Sequence, residues 1–67
     1  MLRIYQSGEL PAYLPIIDTA NIVCVVIGNR PLEVEWFVKH FNAEHKFIVD
    51  TLDISDNYEV AKVFKWK

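Results

Sequence analysis

The side chains whose grouping or spacing could suggest a metal site or acid–base chemistry are His40, His45, Cys24 and Asp50 first, then Glu33, Glu35, Asp53 and Asp56. The two histidines are five apart across an expected helix end, so they do not fall dependably on one helical face, and they form no HExxH pattern. They read as structural imidazoles at a helix terminus, where either protonation state suits the dipole. Cys24 stands among aliphatic neighbours, whereas a reactive thiolate needs an exposed electropositive site, so it reads as a small buried hydrophobe. Asp50, Asp53 and Asp56 are spaced by three but lack the central glycine and terminal Glu of a calcium loop. Glu33 and Glu35, two apart on a helix, point about 200° away from each other and make no acid–base pair. Ser7 and Ser55 lack a nucleophile-elbow context, and Gly8 and Gly28 stand alone rather than in a phosphate-binding loop. The expectation is a non-enzyme without metal or cofactor.

Length and composition bound what can position these groups. The chain has 67 residues, 52% of them hydrophobic, and a net charge of −2. A chain so short has to use nearly every large apolar side chain in its core or in a contact, which predicts one small domain over 1–67 with no deep cleft and no dinucleotide site. Dimerisation fits, since a second subunit can cover what a small domain leaves exposed. Two glycines and three prolines exclude a linker or disordered tail. With a single cysteine there is no disulfide framework, and the longest apolar run, residues 22–27, is far shorter than the roughly 20 residues of a membrane helix. The polar opening MLRIYQSGEL has no signal-peptide core, so a cytoplasmic protein is expected.

Periodicity assigns the elements. Leu2 to Gln6 alternates as a short edge strand, with Leu2 and Ile4 on one face, and Leu10 to Ile17, carrying Pro11 and Pro15, reads as an apolar loop. Asn21 to Gly28 is β-branched on both faces and predicts a central strand. Pro31 suits the first turn of a helix capped by Asn29 or Arg30. Val34, Phe37, Val38 and Phe41 form its apolar stripe, with Glu35 and Lys39 paired on the wet side and Asn42 at the end. Lys46 to Leu52 and Tyr58 to Trp66 predict a β-hairpin joined through 53–57, the second arm turning Tyr58, Val60, Lys62, Phe64 and Trp66 to one face. A helical period through Val60, Val63, Phe64 and Lys67 competes for that last segment. The predicted fold is α+β, an antiparallel or mixed sheet of three to four strands with one helix on one face in the order β-β-α-β-β, with β-β-α-β-α as the alternative.

Two functional classes remain. Tyr13, Leu14, Ile16 and Ile17 in the proline-stiffened segment, Trp36 on the helix flank and Trp66 near the end are large side chains at positions where interface anchors occur, unless they close over the core as a lid. They predict a non-catalytic module, an inhibitor or accessory factor, that binds another protein or itself as a homodimer. The alternative is a single-stranded nucleic-acid binder using Lys62, Phe64, Lys65, Trp66 and Lys67, a mixture of positive charge and aromatic rings. Against it stand the acidic balance of the chain, its few lysines, and the bland role of lysines on an edge strand in blocking association. Nine acids against seven bases also make a weak case for a DNA mimic.

Overall fold

The structure, a computed structural model, describes residues 2–14, 20–54 and 59–67. Ile22 to Gly28 is the strand around which everything else packs, and every residue in it except Val23 is buried. Its Ile and Val side chains favour the pleat and fill both faces, so the sheet must be covered on two sides.

The elements are β1 (Arg3–Gln6), a single 3₁₀ turn at Ser7–Glu9, β2 (Ile22–Gly28), α1 (Pro31–His45), β3 (Ile48–Ile54) and β4 (Glu59–Lys65). The four strands form one antiparallel sheet in the order β1-β2-β4-β3. The fold is therefore α+β in the order β-β-α-β-β. Since β4 pairs antiparallel with both β2 and β3, these two run parallel, and α1 connects them across the inserted β4. The final segment is a strand, which excludes the helical alternative. It lies inside the sheet, so the idea of edge-blocking lysines on it is corrected: β1 and β3 are the edges.

Register assigns the faces. Ile4, Val26, Lys62 and Thr51 stand abreast, as do Cys24, Phe64 and Val49, all toward α1. On that side Cys24, Val26 and Phe64 form a core closed by Phe37, Val38, Phe41 and Phe47. On the other side Val25, Ile27, Ala61 and Val63 pack with Ile22 and Leu14, and Tyr5, Leu10 and Leu52 close over them. A register shift between Ile22 and Cys24 sends Val23 and Cys24 both to the helix side. Leu14 is thus core, not a contact residue: the turn in which its N–H bonds the Pro11 carbonyl folds it onto the sheet. Ile16 and Ile17 lie outside the described residues.

Arg30 is the N-cap of α1 and Pro31 takes the first helical position, where its missing N–H costs nothing. The helix does not stop at Asn42 but runs to His45, closed by Lys46 in the left-handed region (φ 55, ψ 44), whose N–H bonds the Asn42 carbonyl. Asn42 acts through its side chain instead. Its Oδ1 accepts from the Phe47 N–H at 2.6 Å and its Nδ2 donates to the Phe47 carbonyl at 3.1 Å, fixing the chain as it enters β3. The hairpin is longer than expected, with Asp53 and Ile54 still in β3, and its tip at 55–58 lies outside the described residues.

Candidate functional site

Two surfaces present the exposed tryptophans; Ile4 on β1, Tyr13 in the turn after Pro11 and Ile48 on β3 are exposed as well. The first is the outer face of α1. Its sheet-facing stripe is Val34, Phe37, Val38 and Phe41, as the spacing predicts, with Val34 fully buried. Spacings of four, three and four put Leu32, Trp36, Lys39 and Ala43 on the side turned away from the sheet, all exposed. Leu32 is 86% exposed and Trp36 62%. The Trp36 ring lies 4.4 Å, centroid to centroid, from the His40 imidazole. The His40 Nδ1 stands 2.9 Å from the Trp36 carbonyl, so that nitrogen carries the proton and donates it. The bond to the helix backbone anchors the His40 imidazole, which lies against the Trp36 ring.

Glu35 does not pair with Lys39. Its Oε1 lies 2.8 Å from the Lys62 Nζ, and that ammonium also donates to Thr51 Oγ1 at 2.8 Å. The helix is thereby tied to β4 and β3 by a largely covered lysine, while Lys39 is left without an ion pair among the described residues. Two more pairs brace the sheet: Lys65 with Asp50 at 2.5 Å, and Arg3 of β1 with Glu59 of β4, a hydrogen bond that pushes the Arg3 guanidinium further up from its ordinary value.

The second surface is the end of the molecule where α1 stops, β3 starts and β4 stops. Phe47 stacks on His45 with centroids 5.1 Å apart, and Trp66 meets Phe47 edge-on at 5.1 Å. The Trp66 N–H bonds the Asn21 carbonyl, yet its side chain leaves the residue 57% exposed. Lys46 and Lys67, both exposed, flank this pair in sequence.

The remaining sequence candidates separate. Phe64 is fully buried, edge-on to Phe41 at 5.0 Å, and offers no face to a base; Lys62 and Lys65 are held by carboxylates. Tyr13 is half exposed on the opposite side of the sheet from α1, next to buried Leu14. Cys24 is buried on β2, and burial pushes its thiol up. His40 faces Trp36 and His45 faces Phe41 and Phe47, so the two imidazoles do not converge. Among the described residues no cluster of three His, Cys, Asp or Glu is placed to hold a metal, and no helix is long and apolar enough to cross a membrane.

Sequence reasoning missed Leu32, which reads there as the start of the helix, and did not connect Phe47 with Trp66. The 32, 36, 39, 43 spacing was the available signal for the first; the second depends on β4 lying beside β3. Compared with protein-family models, curated proteins and solved structures, the chain matches none.

Proposed function

We propose that this chain is a non-catalytic binding module that acts through the outer face of α1 on another protein or a second copy of itself, as an inhibitor or accessory factor. One observation carries the reading: Leu32 and Trp36 stand exposed one turn apart on a helix that has already committed another stripe to the sheet. Placing a leucine and a tryptophan in water forgoes burial worth about 1.5–3 kcal/mol for a side chain of leucine size, and a small domain has little to spare. The anchored His40 imidazole lies against the indole beforehand, which lowers the entropy lost on contact. The described histidines and the buried thiol serve packing, and a free buried cysteine suits a reducing, cytoplasmic setting.

Affinity capture from the native host with wild-type and Trp36→Ala baits, read by mass spectrometry, tests the reading. It expects a partner retained by the wild type and lost with the variant. Identical capture by both overturns it.

A second reading, single-stranded nucleic-acid binding, is favoured by the ring contacts that join His45, Phe47 and Trp66, with Lys46 and Lys67 their neighbours in sequence. An exposed ring among cations is the usual platform for an unpaired base. Oligonucleotide quenching of tryptophan fluorescence that weakens with salt and disappears in Trp66→Ala supports it. Unchanged fluorescence at low salt rejects it.

A further inference from the structure

We infer that the outer face of α1 is self-complementary and that its occupant is a second copy of this chain, bound helix to helix and antiparallel; this rests on the reading of that face as a contact surface.

The exposed positions 32, 36, 39 and 43 follow the alternating four-three spacing of a helix–helix seam. A two-fold axis between residues 37 and 38 sets Leu32 of one copy against Ala43 of the other, and Trp36 against Lys39. Each large side chain then meets a small one or a long flexible one, and residue i touches j while j touches i, as an isologous contact requires. Charge points the same way. Within one chain Lys39 lacks an ion pair among the described residues, because Glu35 has turned to Lys62. Glu35 nonetheless keeps a 60% exposed side chain, with Oε1 the atom nearest Lys62. Glu35 and Lys39 share one flank of the helix, so the antiparallel arrangement brings the Lys39 ammonium of each copy to the Glu35 carboxylate of the other, beside the Trp36 ring. A parallel pair would instead set Lys39 against Lys39 and align the two helix dipoles unfavourably. The seam is four positions long, a small contact beside the roughly 800 Å² per partner of a standard interface, so the dimer is weak and forms only as concentration rises.

Sedimentation velocity over a wide concentration range, on the whole chain, tests this. The wild type is expected to shift from monomer to dimer as concentration rises, with Trp36→Ala weakening association about tenfold or more. Ala43→Trp, which wedges the seam at an exposed position, is expected to abolish the dimer while circular dichroism stays native. A wild type that remains monomeric throughout overturns the inference, and the contact reading then stands or falls separately on capture by the Trp36→Ala bait. A dimer indifferent to both substitutions also overturns it, since the copies would then meet elsewhere.

Discussion

The Lys62 ammonium on β4 stands 2.8 Å from the Glu35 carboxylate on α1, an ion pair joining the two layers of the fold. It accounts for two things at once: how a lysine is accommodated on the covered face of a central strand, and why Lys39 lacks its expected partner one turn along the helix.

The pair predicts an asymmetry between its partners. Glu35→Ala leaves a largely covered ammonium with only Thr51, and is expected to lower stability by about 1–2 kcal/mol. Lys62→Met keeps the stem and removes the charge, and is expected to cost about 1 kcal/mol or less. Urea denaturation of both variants measures this; a larger loss for Lys62→Met refutes the assignment.

Phe64 separates core from platform. It is fully buried and touches Phe41 and Phe47, so Phe64→Ala is expected to cost about 3–5 kcal/mol, enough to unfold much of the population of so small a domain. Trp36→Ala, at an exposed position, is expected to stay within about 0.5–1 kcal/mol of wild type. Thermal unfolding by circular dichroism distinguishes them, and a well-folded Phe64→Ala protein contradicts the described packing.

At the end of α1, Lys46 occupies a left-handed conformation that disfavours a side chain. Lys46→Gly is expected to stabilise by about 0.5–1 kcal/mol, whereas Asn42→Ala, which breaks both bonds to Phe47, is expected to destabilise by about 1–2 kcal/mol. Opposite shifts in the urea midpoint are the expected result.

Burial raises the Cys24 thiol above its ordinary value near 9.0, so the fold binds that proton more tightly than the unfolded chain does. The stability it contributes is complete below the unfolded value and is lost as pH rises through the higher folded value. Native protein is expected to react with a thiol reagent far more slowly than denatured protein at the same pH. Equal rates would show an accessible thiol.

Much of this architecture was legible from residue order. The β-branched run of β2 announced a strand buried on both faces, and Val34, Phe37, Val38 and Phe41 identified the sheet-facing side of α1 because a period survives whatever packs against it. The β4 segment fitted two periods, and only its pairing with β2 and β3 selects the strand. What stayed hidden depends on tertiary placement. Leu14 is indistinguishable in sequence from the exposed Tyr13 before it until the chain folds it onto Val25 and Ile27. Glu35 has one candidate cation by helical spacing and a better one on β4. Leu32 sits where a helix begins, and its exposure shows only once the sheet has taken the other side. The last contrast bears on function, because a surface that works by being covered is defined by what the core leaves out.

The most direct test of the self-association account, in which two copies cover each other's Leu32 and Trp36, is a ¹H–¹⁵N spectrum of the wild-type chain followed from dilute to concentrated solution, reading the indole N–H signals of Trp36 and Trp66 separately. The account predicts that Trp36 moves with concentration, together with the amides of Leu32, Lys39 and Ala43, while Trp66 stays still. A stationary Trp36, or shifts confined to Trp66 and its neighbours, would contradict it.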